Sequence, residues 1–250
     1  MKKMIIMGAS SGIGLEMSEL LLSRGMRLGL AARHTETLRE LSKKYPGQVE
    51  YESIDVTHRD APAKLNTLIE RLGGLDIYFH VSGIGISNPE LDPNKEAEVI
   101  TTNAGGFVRM VAAAYDYFKQ SKHAGQIAAV TSVAGTKGIG DLAAYSASKK
   151  CASTYLTALE QLAHKEGVDI AFTDIRPGWI RTPLLSADAE YMMEMKPEEV
   201  VPLMLKSIVR RQRVAVIDKR YAALVALWRC LPDSVWVRMN VPMTKKGETF

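Results

Sequence analysis

Met4-Ile5-Ile6-Met7-Gly8-Ala9-Ser10-Ser11-Gly12-Ile13-Gly14 is a four-residue apolar run that breaks into a loop of glycine and serine. The run reads as a buried strand, and a helical pattern, Gly12–Ser23, follows the loop directly. Glycine lets a chain turn tightly and lets its backbone approach a bulky anion closely. The N-terminus of the helix that follows offers unpaired N–H groups and the positive end of a dipole. A strand, glycine loop and helix in that order suit a dinucleotide pyrophosphate better than an ordinary turn does. Gly8, Ser10, Ser11, Gly12, Ile13 and Gly14 are therefore candidate cofactor-binding residues, with the two serines adding hydroxyl donors.

Outward from this loop, short apolar runs alternate with helical patterns to the end of the chain. The strand candidates are Met4–Met7, Leu28–Ala32, Val49–Asp55, Ile77–Val81, Ile127–Thr131, Asp169–Ile175 and Val214–Ile217. Helical patterns lie between them at Gly12–Ser23, Glu36–Lys44, Ala63–Leu72, Glu96–Lys119, Ala144–Lys165 and Glu198–Arg211. Such alternation predicts βαβ units: an α/β fold, Rossmann-like and doubly wound, with a mainly parallel seven-stranded sheet and helices on both faces. No linker, repeat or low-complexity segment interrupts it, so residues 1–250 read as a single domain.

Bulk composition excludes several classes. At 250 residues and 46% hydrophobic content the chain can bury a large core. A net charge of +4 is too small to imply a nucleic-acid partner. Five scattered histidines show no metal-ligand spacing, so no metal is expected. Two cysteines, Cys151 and Cys230, make no disulfide framework, and a cytoplasmic protein is expected. Lys2 and Lys3 ahead of an apolar run imitate a secretory leader, but the run stops after four residues. No stretch reaches the ~18 apolar residues that span a bilayer.

The chemistry is carried by Ala144-Tyr145-Ser146-Ala147-Ser148-Lys149. On a helix the phenol of Tyr145 and the ammonium of Lys149 share a face. A tyrosine of ordinary pKa, near ~10, is a poor acid–base group at neutral pH, and a nearby cation lowers that value. The pair suits proton exchange with an alcohol or carbonyl oxygen.

The glycine spacing is Gly-x-x-x-Gly-x-Gly, and together with Tyr145 and Lys149 it resembles the short-chain dehydrogenase/reductase superfamily over residues 1 to about 185. The resemblance implies further residues. Ser132, in Val130-Thr131-Ser132-Val133-Ala134-Gly135, matches the serine that orients the substrate oxygen. Asn103, in Thr102-Asn103-Ala104-Gly105-Gly106-Phe107, matches the asparagine that positions a relay water toward Lys149. Tyr145 is then the acid/base, and Lys149 lowers its pKa and holds the nicotinamide ribose. Asp55-Val56 matches the adenine-contacting segment, and Pro177-Gly178-Trp179-Ile180-Arg181-Thr182 the segment beside the nicotinamide, with Ile180 and Thr182 in contact. Where the family has Asn-Asn-Ala-Gly, this chain has His80-Val81-Ser82-Gly83: Gly83 is kept, and Ser82 or His80 stands in for the asparagines. The implied activity is an alcohol–carbonyl oxidoreductase, with a homodimer or homotetramer as the assembly. A cofactor sensor with vestigial chemistry, and a dehydratase or epimerase on the same scaffold, are the alternatives.

Gly29-Leu30-Ala31-Ala32-Arg33-His34 ends the second strand without the acidic residue that would bind a ribose 2′-hydroxyl. Arg33 is instead suited to a 2′-phosphate, so NADP(H) is expected over NAD(H). Residues 183–196 are expected to form a lid whose Tyr191, Met192, Met193 and Met195 build an adaptable apolar wall. The C-terminal extension, about 218–250, combines Trp228 and Trp236 with Arg220, Arg229 and Arg238. It is expected to pack on the domain or on a partner subunit, with peripheral membrane contact as the alternative.

Overall fold

The first strand, β1 (Met4–Met7), is buried at every residue and alternates between two cores. Met4 and Ile6 pack with Met17 and Leu21 on one face of the sheet. Ile5 and Met7 pack with Leu65 and Phe118 on the other. Burial on both faces is why this run and its neighbours are continuously apolar rather than alternating. In the computed structural model, which describes residues 2–85, 87–185 and 190–241, seven strands form one parallel sheet. They are β1, β2 (Leu28–Ala32), β3 (Val49–Ser53), β4 (Ile77–His80), β5 (Gly125–Val130), β6 (Ile170–Arg176) and β7 (Val214–Val216). Residues 186–189 of the expected lid and 242–250 of the expected extension lie outside the described residues.

The strand order is β3-β2-β1-β4-β5-β6-β7, so the chain winds outward from β1 in one direction and then returns to continue from β4 in the other. Successive strands diverge at that point, and a crevice opens beyond their carboxyl ends. The helices on one side are α1 (Gly12–Leu22) and α2 (Glu36–Lys44), and on the other α3 (Ala61–Leu72). Next come α4 (Pro93–Ile100), α5 (Phe107–Ser121) and the long α6 (Ala143–Glu166). After β6 follow α7 (Pro197–Val209), α8 (Lys219–Arg229) and the short α9 (Asp233–Trp236).

The boundaries of the seven strands and of five of the six helical patterns expected from sequence match to within one or two residues; the run expected from Glu96 begins at Pro93, and α8 and α9 are additional. The run Glu96–Lys119 is not a uniform helix: Thr101–Gly106 forms a π-helical turn between α4 and α5. Such turns widen a helix locally and recur at functional positions. Asn103 sits inside it.

Candidate functional site

Two glycines make the loop after β1 possible. Gly8 has φ +97°, and a Cβ there would lie 2.6 Å from the Ser82 backbone nitrogen. Gly14, in the first turn of α1, allows its backbone to sit against the loop: a Cβ would be 2.0 Å from the Gly8 carbonyl oxygen. Ser11 caps α1 without a side-chain hydrogen bond to the helix, which leaves the hydroxyl available. Gly8, Ser10, Ser11, Gly12 and Ile13 line a groove of about 420 Å³. Arg33 lines it at the end of β2, Asp55 and Val56 after β3, and Ser82 and Gly83 after β4. Burial opposes the charge of Asp55, but the Thr57 hydroxyl and N–H, at 2.7 and 2.9 Å, hold its carboxyl below the usual range.

The groove adjoins a cavity of about 140 Å³, and Gly83 and Thr182 line both. Ser132, Tyr145, Lys149, Pro177, Gly178 and Ile180 line the cavity. Ser132 follows β5, where its Oγ accepts from Ala134 N at 3.1 Å and so has a fixed orientation. Tyr145 lies in the first turn of α6, which is capped from a distance: Ala144 N donates to Glu96 Oε2 at 2.9 Å. Lys149 is one turn on, with Nζ 5.6 Å from the Tyr145 ring centroid and donating to the Val130 carbonyl at 3.1 Å. Asn103 faces the same region. Its Nδ2 donates to Ile84 O at 2.7 Å and its Oδ1 accepts from Ile84 N at 2.8 Å, which clamps the loop after β4.

The electrostatics differ from the sequence expectation in one respect. Burial pushes the Tyr145 phenol above its ordinary value, and the Ser132 hydroxyl is the group that pulls it back. Burial takes the Lys149 ammonium down to about 8, while the Asp174 carboxylate supports the charge. Asp174 is itself buried and held by Thr131 Oγ1 at 2.5 Å and by Arg176 at 2.6 Å.

The His80-Val81-Ser82-Gly83 segment braces the sheet by other means than asparagine side chains. Val81 N and Ser82 N both donate to Met7 O, at 2.8 and 2.9 Å. His80 is fully buried beside Phe107, with Nδ1 2.9 Å from the Tyr78 hydroxyl. Burial and the Lys149 charge lower its pKa to about 3, so it is neutral. The lid methionines do not form the expected wall. Met195 belongs to the core beside β-bridge partner Ile180 and Met192 is exposed; of the expected wall Tyr191 lines the cavity, together with Leu184 and Leu185.

The C-terminal helices contribute residues that motif reading missed. The Tyr221 hydroxyl accepts from Trp179 N at 3.1 Å and donates to Met192 O at 2.9 Å, joining the two chain segments beside the cavity. Its ring lies where a Cβ on Gly178 would be, 2.0 Å away. Trp228 and Trp236 are turned inward and pack against the domain. Their indole N–H groups donate to Thr136 Oγ1 at 2.8 Å and Gly138 O at 2.6 Å. Lys137 pairs with Asp233 and donates to Leu231 O. The loop between Ser132 and Tyr145 is thereby tied to α8 and α9. Tyr221→Phe keeps the ring and removes three polar contacts, and a buried partner left unpaired costs about 1–3 kcal/mol. A lower Tm is expected, and with it a substrate KM that rises more than kcat falls, read by thermal melts and steady-state kinetics. Among the described residues no helix is long and apolar enough to cross a membrane.

Comparison with known proteins places these features in a wider set. A family model described as short chain dehydrogenase matches residues 2–192. An uncharacterised oxidoreductase of Listeria monocytogenes is 37% identical over 241 residues, covering 94% of this chain and 92% of that protein. An NADP-dependent 3-hydroxy acid dehydrogenase of Schizosaccharomyces pombe is 26% identical over 239 residues, covering 87% and 90%. The crystal structure of a short chain dehydrogenase from Burkholderia cenocepacia, in complex with NADP, superimposes with a TM-score of 0.81 at 19% identity, covering 96% and 98% of the two chains.

Proposed function

This chain belongs to the short-chain dehydrogenase family, and on that premise we propose that it is an NADP(H)-dependent oxidoreductase interconverting a secondary alcohol and a ketone or aldehyde. The observation that carries the reading is the junction of groove and cavity. Gly83 and Thr182 line both, so a dinucleotide lying along the loop after β1 would present its nicotinamide beside Ser132, Tyr145 and Lys149. The groove suits that group: its tight glycine approaches leave room for a pyrophosphate, and the Ser10 and Ser11 hydroxyls with the start of α1 supply donors.

When bound, the nicotinamide supplies or accepts the hydride. In the reductive direction Tyr145 donates its proton to the substrate oxygen, and burial keeps that proton on the phenol at neutral pH. Ser132 Oγ donates a hydrogen bond to the same oxygen and stabilises the charge that develops there. Lys149 replaces the lost proton from the cofactor side, where Gly83 leaves room beside its Nζ. Asn103, by fixing Ile84, holds the outer wall of that proton path and its relay water. Asp55 and Val56 border the adenine end, and Pro177, Gly178, Ile180 and Thr182 the nicotinamide end. One sheet carries both groove and cavity, which supports reading residues 1–250 as a single domain.

Arg33 carries the preference for the phosphorylated cofactor. It is exposed at the groove's edge, and its neighbours Ala32 and His34 bring no carboxylate to repel a 2′-phosphate. The test is steady-state kinetics with both cofactors on a panel of ketones. NADPH is expected to give the higher kcat/KM. Arg33→Ala should raise KM for NADPH by about 10- to 100-fold, the worth of one charge-assisted contact, with little change for NADH. Equal kinetics with both cofactors in the unaltered protein, or better kinetics with NADH, would remove the NADP(H) assignment.

A further inference from the structure

Much of the cavity lining is apolar. Ile84, Leu142, Trp179, Leu184, Leu185 and Tyr191 line it. Trp179 and Tyr191 stack with ring centroids 4.6 Å apart, tilted by 34°. Their contact is held in place: the Tyr221 hydroxyl takes the Trp179 N–H, and Met195 N donates to Trp179 O at 3.0 Å. Lys149 is the one charged residue among the described residues that line the cavity. Its ammonium is engaged by the Val130 carbonyl and stands beside Gly83. Arg181 follows Trp179 and Ile180 closely in the chain, but its guanidinium makes a double contact with Glu194, at 2.5 and 2.6 Å, and it does not line the cavity. The remaining segment of the expected lid, Ser186-Ala187-Asp188-Ala189, contains no basic residue.

A carboxylate carried into such a site would lose its hydration without gaining a charged partner. A flat apolar group would gain the faces and edges of two aromatic rings. We propose that the cleft takes an uncharged carbonyl compound bearing an aryl or similarly flat apolar group, discriminates against the matching acid, and uses Trp179 and Tyr191 as its specificity-determining wall. This inference rests on the oxidoreductase reading above and names the substrate class of that same site. It separates this chain from its 3-hydroxy acid dehydrogenase relative, whose named substrate class carries a carboxylate.

The experiment compares ethyl benzoylacetate, benzoylacetate and ethyl acetoacetate as carbonyl substrates with NADPH at pH 7. It pairs the kinetics with tryptophan-fluorescence titration of each compound. The aryl ester is expected to exceed its own acid in kcat/KM by about 100-fold and to exceed ethyl acetoacetate, its methyl-ketone counterpart, by about 10-fold. Trp179→Ala should raise KM for the aryl ester about 10-fold, leave its kcat within a factor of about three and level its advantage over ethyl acetoacetate, while Trp179→Phe restores most of it. An acid that turns over or binds as well as its ester overturns the inference, as does binding of neither ester. Turnover on any arm leaves the oxidoreductase reading standing while the order of the arms judges this one. Saturable ester binding without turnover on any arm counts against the oxidoreductase reading and leaves the apolar site supported.

Discussion

Tyr145→Phe is expected to lower kcat by about 10²- to 10⁴-fold, equivalent to about 3–5 kcal/mol of transition-state stabilisation, while NADPH still binds. The substitution removes one oxygen and keeps the ring. That ring lies in the first turn of α6, whose start is fixed by Glu96, and Lys149 Nζ stands 5.6 Å from its centroid. Little else in the fold depends on the hydroxyl, so the loss should fall on chemistry rather than on stability. Burial raises the pKa of the phenol, so it is protonated at neutral pH and ready to donate in the reductive direction. Ser132 would offer the same substrate oxygen a hydrogen bond but transfer no proton, so Ser132→Ala should cost less. The measurement is single-turnover reduction under saturating cofactor, with NADPH affinity followed by fluorescence. Turnover in Tyr145→Phe within a factor of about ten of the unaltered protein would fall below what a general acid contributes and would move the proton donor elsewhere.

Much of this architecture was legible because its causes are local. The run Met4–Met7 is apolar at every position, as a strand covered on both faces must be, and the glycines that follow are demanded by close approaches within the loop itself. Ser132, Tyr145, Lys149 and Asn103 occur as ordered short motifs, and the fold gathers three of them around one cavity with Asn103 clamping its neighbour Ile84.

What sequence did not reveal depends on contacts between distant residues. Tyr221 reaches Trp179 and Met192, 42 and 29 positions away, and no local pattern marks a tyrosine for that task. Trp228 and Trp236 lie among basic residues, which leaves an outward-facing amphipathic stripe as the alternative to packing on the domain. Only the partners Thr136 and Gly138, 92 and 98 positions upstream, turn them inward. The methionines after Thr182 fit an adaptable wall by composition, yet Met195 is drawn into the core by its bridge to Ile180. The influence of Lys149 on Tyr145 was inferred from helical spacing alone. Spacing places the ammonium near the ring, but it does not include burial, which acts on both groups and raises one pKa while lowering the other.

Gly14→Ala should produce the second large effect, and it tests the cofactor loop rather than the proton chemistry. The added methyl would stand 2.0 Å from the Gly8 carbonyl oxygen and 2.8 Å from its carbonyl carbon. Both obstacles are backbone, so no side-chain rotation relieves the clash. Gly8 cannot retreat either: its N–H bonds Ala31 O at 2.8 Å, and its Cα packs against Ser82. The start of α1 must therefore move away from the loop, which would spread the N–H groups and serine hydroxyls expected to hold the pyrophosphate. Overpacking of this kind costs about 1–3 kcal/mol or more in stability, and it should weaken NADPH binding by at least about 100-fold. Gly140→Ala is the matched control, because a Cβ there meets nothing within 4 Å. Calorimetric titration with NADPH and thermal melts of both variants distinguish the outcomes. Gly14→Ala with unaltered affinity and Tm would mean that α1 does not seat against the loop, and the groove would then lose the geometry on which the dinucleotide reading depends.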